Sequence, residues 1–343
     1  MLRLKLKSIP RRLAFAAFLT LAMGVSVFAQ KEKSEEDKMA REVIHEKPNE
    51  FKIIASRSPV KAFVVLKDVV WYATDEIVVC QALVAVKGAL MQQYPKLGNI
   101  ASSGVTSMAA DRSDNVWIAC EEGVAVVRGS GKSVSATSYT SADGIPEGKV
   151  LAVAPGSGMD VWIGTENGAA RFNGSSWTSY TTKDGLPSNR VQALVSNSRG
   201  DVYLGTNKGL SVYNGSSFKN YNAKNSGGSG LEWNNVTVLA KEPNSDVIWM
   251  TDGPKNLNTF DGTTWKRYME IQDGITSIMN DTRRTWFGYE GGLLRFNGEE
   301  WVTDKNMHGV PAEQVYAMQR DANGNLCFGM EKGVMILSNP YRK

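Results

Sequence analysis

Two histidines, His45 and His308, and three cysteines, Cys80, Cys120 and Cys327, are the side chains best suited to metal or nucleophilic chemistry. Their spacing limits that chemistry at once. His45 stands in the charged segment QKEKSEEDKMAREVIHEKPNE, outside any apolar pattern. His308 lies in Met307-His308-Gly309-Val310-Pro311, in the place that Asp184 holds in Asp184-Gly185-Leu186-Pro187 and Asp143 in Asp143-Gly144-Ile145-Pro146. A turn residue is the simplest reading of it. A lone histidine supplies neither a zinc-binding cluster nor a paired acid and base. The cysteines fall in apolar, strand-like runs, and an odd, sparse count is not a disulfide framework. Buried thiols are expected, with a Cys80–Cys120 bridge left open. Asp111-Arg112-Ser113-Asp114-Asn115 and Asp321-Ala322-Asn323-Gly324-Asn325 have the density of a calcium loop but not its downstream ligand order, so β-turns account for them. Other carboxylates are scattered through turns. The sequence therefore shows no catalytic constellation, metal-ligand set or cofactor motif.

The elements that carry these residues repeat. One bulky position recurs as Trp71, Trp117, Trp162, Tyr203, Trp249, Trp286 and Cys327, in the contexts VVWYAT, NVWIAC, DVWIGT, DVYLGT, VIWMTD, RTWFGY and NLCFGM. Upstream of each position after the first lies a strand ending in a polar turn. Downstream come a glycine-led strand, then Asn-Gly or Asp-Gly as in Phe172-Asn173-Gly174 and Phe260-Asp261-Gly262, then an aromatic strand. Asn-Gly and Asp-Gly tolerate the positive φ of tight hairpins. A period near 40 residues with four strands per unit is the mark of propeller blades. Each meander is apolar on both faces and must be covered on both sides, which a radial stack achieves.

The expected fold is all-β: a seven-bladed β-propeller of four-stranded antiparallel blades over residues 51–343. The last unit lacks its fourth strand, while an orphan strand, Phe51–Ala55, precedes the first unit. An N-terminal strand completing the last blade would close the ring and protect its edges.

Residues 1–29 combine a basic start, an apolar run from Leu13 to Val25 and Val27-Phe28-Ala29, the pattern of a secretory signal peptide cleaved before Gln30. Residues 30–50 read as a charged linker. The formal charge of +4 belongs to the leader: without its five basic residues, 34 basic face 35 acidic side chains, a net of −1. That balance gives no electrostatic case for nucleic acid. No other apolar run is long enough to span a membrane, so an exported, periplasmic or extracellular protein is expected.

The pattern of DVWIGTENGAARFNG and DVYLGTNKGLSVYNG, followed by an aromatic strand and DGLP, resembles the two-component regulator propeller repeat. The resemblance covers roughly residues 51–340. It departs where Thr251-Asp252 replaces Gly-Thr, Cys120 replaces Thr and Cys327 replaces the aromatic. It implies a propeller of the kind found in extracellular sensors of hybrid two-component regulators. Those sensors continue into a further β-domain, a membrane helix and a kinase, none of which occurs up to Lys343, so a stand-alone propeller is expected.

Propellers bind on the face that carries the blade-to-blade loops and the turns between second and third strands. The repeat register places Glu147, Lys149, Arg190, Glu290 and His308 on that face, with Trp233 and Asn234 in its longest connection, the Gly/Ser-rich NAKNSGGSGLEWNN of residues 222–235. That connection reads as a flexible loop whose Trp233 either contacts a ligand or partner or folds back on the barrel. The leading functional expectation is non-enzymatic recognition of a small molecule, a glycan or an envelope protein, with sensory input as one use. A propeller enzyme, lyase or glycan-active, and a structural envelope scaffold are the alternatives.

Overall fold

The computed structural model describes residues 51–338, except for 57, 68, 83–90, 102–103, 130–133, 254, 269–273, 282–283 and 304–312. The signal peptide, the charged linker and His308 lie outside the described residues. Seven four-stranded antiparallel sheets follow one another along the chain. We number them as blades 1 to 7. Their inner strands are Ala62–Leu66, Ser107–Ala110, Val150–Pro155, Val191–Ser196, Val236–Lys241, Ile275–Asn280 and Val315–Arg320. Each of these inner strands lies beside the next, and that of blade 7 lies beside that of blade 1. A short ribbon, Lys96–Leu97 with Ile100–Ala101, joins blades 1 and 2 and has no counterpart among the described residues of the other blades.

The orphan N-terminal strand occupies the expected place. Phe51–Ala55 pairs antiparallel with Gly333–Leu337, in register from Phe51↔Leu337 to Ala55↔Gly333. The inner wall closes there too. Gln319 uses its side-chain amide as a strand would, accepting from Val65 N–H at 2.9 Å and donating to Val65 C=O at 3.2 Å.

The repeated anchors are buried: Trp71, Trp162, Tyr203 and Trp286 are each 1% exposed. Burying an indole ring is favourable only if its N–H finds an acceptor. Trp117, Trp249 and Trp286 donate theirs to Asp111, Glu242 and Asp281 in the turns between first and second strands. Asp111 also accepts the backbone N–H groups of Ser113 and Asn115, and Asp321 those of Asn323 and Asn325. Both calcium-like sequences are thus Asx-type turns. Where Cys327 replaces the aromatic, Phe63 and Tyr72 of blade 1 pack into the same cluster. All three cysteines are buried, and none forms a disulfide.

A second rule governs the seams between blades. The inner-strand ladder skips one residue in blades 3 to 7, between Val150 and Ala152, Val191 and Ala193, Val236 and Val238, Ile275 and Ser277, and Val315 and Ala317. This bulge frees the leading carbonyl to face the preceding blade. A Cβ on Gly164, Gly205 or Gly329 would fall 2.6, 2.7 or 2.4 Å from the carbonyl oxygen of Val191, Val236 or Val60. Those glycines admit the neighbouring backbone.

The glycines that lead the third strands answer a different demand. Gly209 has φ +120°, and a Cβ there would lie 2.1 Å from the carbonyl of Tyr221. Gly215, in an Asn-Gly turn at φ +98°, has open space around it. Gly209→Ala should therefore cost at least about 3 kcal/mol, against about 1–2 kcal/mol for Gly215→Ala. Chemical denaturation of the two variants checks this, and equal losses would contradict the steric account.

Candidate functional site

Strand alternation brings the blade-to-blade connections and the second-to-third-strand turns to one face. In blades 3 and 4, Thr165 and Thr206 close these turns by donating to the carbonyls of Gly168 and Gly209. Blade 5 has Asp252 at that position, with no exposed surface. A buried carboxylate demands donors. It takes two of them from the long connection, Oδ2 accepting Glu232 N–H at 2.6 Å and Trp233 N–H at 2.9 Å, while Oδ1 accepts from Asn258 Nδ2 of its own blade at 2.6 Å.

Further bonds fasten the same segment. Asn234 Oδ1 accepts from Ala223 N–H, and Asn225 Oδ1 from Asn222 N–H. Leu231 is 1% exposed and joins the blade core. Arg267 donates to the Gly230 carbonyl at 2.7 Å and lies 3.4 Å from Glu232, which also accepts from Asn256. The Gly/Ser composition suggested a free loop. Residues 222–235 are instead pinned at both ends, because Asn222 and Asn225 build turns and Asp252 clamps the second half.

Trp233 does not fold back into the barrel. Its base lies against Gly253, where a Cβ would be 3.1 Å from Cγ, and 60% of the residue remains exposed. Met159, at 56%, is the other exposed large apolar residue among those described.

A polar track leads from this tryptophan across neighbouring blades. Asn235 accepts from Gln192 Nε2 at 2.8 Å, and its carbonyl accepts from Gly253 N–H. Arg190 donates to Gln192 at 3.4 Å and to Glu166 at 2.8 Å, holding the Glu166 carboxyl below the usual range. Lys149 repeats this pairing one blade earlier, with Glu121. Such exposed pairs add little stability, but they fix the orientation of long side chains. The Glu147 carbonyl accepts from Asn167, while its carboxylate points to solvent. The structure thus joins Arg190, Asn234 and Trp233 through Gln192 and Asn235, with Lys149 and Glu147 farther along the same face. Glu290 is exposed in the equivalent turn of blade 6, outside this track.

Sequence reasoning noted Asp252 as a departure from the repeat but assigned it no role. The available signal was an acid closing the apolar second strand of the blade that follows the longest connection.

No family model and no curated protein sequence matches the chain. Solved structures do. The extracellular domain of the putative hybrid two-component system BT3049 from B. thetaiotaomicron has TM-score 0.66 at 20% identity, over 83% of this chain and 40% of that one. The extracellular domain of BT4673 from the same organism, described as a putative one-component system, has TM-score 0.64 at 16% identity, over 85% and 40%. YCF48, solved bound to a D1 peptide, has TM-score 0.61 at 12% identity, over 87% and 97%. This chain therefore spans about two fifths of the B. thetaiotaomicron domains.

Burial pushes the Asp252 carboxyl above the usual range, against the opposing effects of its hydrogen bonds from Trp233, Glu232 and Asn258 and the nearby Arg267 charge. A raised carboxyl holds its proton more tightly folded than unfolded. Its contribution to stability is therefore full below the ordinary aspartate range near pH ~4 and declines as pH rises through the elevated value. Asp252→Ala should cost about 1–3 kcal/mol at neutral pH by leaving two amides unpaired, and more in acid. Amide exchange at residues 232 and 233 should accelerate with it. A loss of stability that grows with rising pH, or unchanged exchange, would contradict the clamp. The chain thus has the β-propeller fold of these extracellular domains.

Proposed function

We propose that this protein is an exported, non-catalytic recognition module whose binding face centres on Trp233 and that delivers a sensory input to a separate membrane protein. One observation carries the reading: a tryptophan left 60% exposed on a segment that a buried aspartate holds in place. An exposed indole on an ordered support offers large contact area with little entropy to lose on binding. Asn234 and Asn235 follow it in the chain, and Gln192 and Arg190 continue from Asn235 as a run of donors and acceptors already oriented by neighbours.

Two likenesses support the reading. The BT3049 and BT4673 structures are extracellular domains of putative signalling systems. YCF48 was solved with a peptide bound, and this chain covers 97% of it. The fold leaves function open, so the argument rests on the site. The signal-like leader supports export, and no helix among the described residues is long and apolar enough to cross a membrane.

Trp233→Ala should leave the midpoint of unfolding nearly unchanged, because the side chain is mostly in solvent. It should reduce capture of cross-linked partners from an envelope extract by about tenfold or more, as expected of a central aromatic anchor. Undiminished capture would remove this face from the site.

A further inference from the structure

Three exposed lysines stand on the segments around Trp233. Lys208 lies in the second-to-third-strand turn of blade 4 and Lys255 in that of blade 5. Lys224 sits in the connection that bridges the two blades, next to Ala223, whose N–H is held by Asn234. All three are exposed, and among the described residues their ammonium groups form no ion pair and no hydrogen bond. The acids of the same segments are already engaged. Asp252 is fully buried on backbone amides, and Glu232 faces Arg267 and Asn256. In the two preceding connections Lys149 and Arg190 are each matched by a carboxylate. With Asp252 buried and Glu232 paired, these three lysines leave the segments around the exposed indole with cationic groups open to solvent.

Resting on the reading of the Trp233 face as the binding surface, we propose that its partner is an acidic peptide segment of a protein, anchored on Trp233 and held by Lys208, Lys224 and Lys255. The single aromatic favours a peptide over a polysaccharide. Sugar chains are held by successive ring platforms, whereas one anchor flanked by point charges matches a chain that carries alternating side chains.

Fluorescence anisotropy with the purified protein tests this. The probes are a labelled twelve-residue peptide alternating Glu and Tyr, its Gln/Tyr and Lys/Tyr counterparts, and sulfated dextran. The Glu peptide should bind at least about tenfold more tightly than the Gln peptide, lose that margin in high salt, and lose it again in Lys224→Glu/Lys255→Glu. Trp233→Ala should weaken both peptides. If the Gln peptide binds as well as the Glu peptide and Trp233→Ala abolishes both, the acidic partner class is overturned while the binding face stands. If binding is unaffected by Trp233→Ala, the face falls as well. Tighter binding of sulfated dextran than of the Glu peptide overturns the peptide class in favour of an anionic polysaccharide. No binding of any probe overturns the proposal.

Discussion

The backbone carbonyl at the start of an inner strand, pressed against the blade before it, is the contact on which the ring depends. Val60, Val150, Val191, Val236 and Val315 are all fully buried. Their carbonyls meet Gly329, Thr106, Gly164, Gly205 and Gly288, by close approach or by hydrogen bond. Thr276 donates to the Val315 carbonyl at 2.5 Å, and Gln192 reaches that of Val236 at 3.4 Å. A buried carbonyl without a donor is costly, so these polar residues at the skipped inner-strand positions are part of the seam. The closing seam, Gly329 against Val60, makes the same glycine-to-carbonyl approach as Gly164, Gly205 and Gly288. Closure is therefore one more blade contact, made between the two ends of the chain.

This constraint makes one face a platform. Residues at the start of each inner strand are held between two blades. The side chains just above them, Arg190, Gln192 and Asn235, inherit that order. The 222–235 connection is the place where the repeat is interrupted for something else. Blade 5 has Thr251-Asp252 where blades 3 and 4 have Gly-Thr. Thr251 pairs with Thr237 at 3.0 Å in place of the glycine contact, and Asp252 reaches into the connection. The result is an exposed indole with a fixed base.

Much of the fold was legible in sequence because blade construction is local and repeated. Trp162, Gly164, Asn173-Gly174 and Trp177 each declare a strand, a close approach, a turn and a wedge filler. The orphan Phe51–Ala55 strand was legible by subtraction, since the last unit was one strand short. The ribbon at Lys96–Leu97 was not, because it occurs once and has no period. The site was half legible. Trp233 stood out by composition, but whether its ring pointed outward depended on Asp252, nineteen positions away and seen only as a departure from pattern. Long-range polar clamps leave no periodic trace. The pairing of Lys149 and Arg190 with carboxylates of the preceding blade was hidden for the same reason.

Native-state hydrogen exchange tests closure through the termini most directly. The amides of Phe51–Ala55 should exchange together with those of Gly333–Leu337 and the inner strands of blades 3 and 4, in one opening with the free energy of global unfolding. Exchange of Phe51–Ala55 through a separate opening of far lower free energy, with the other blades still protected, would contradict a ring held shut by its N-terminal strand.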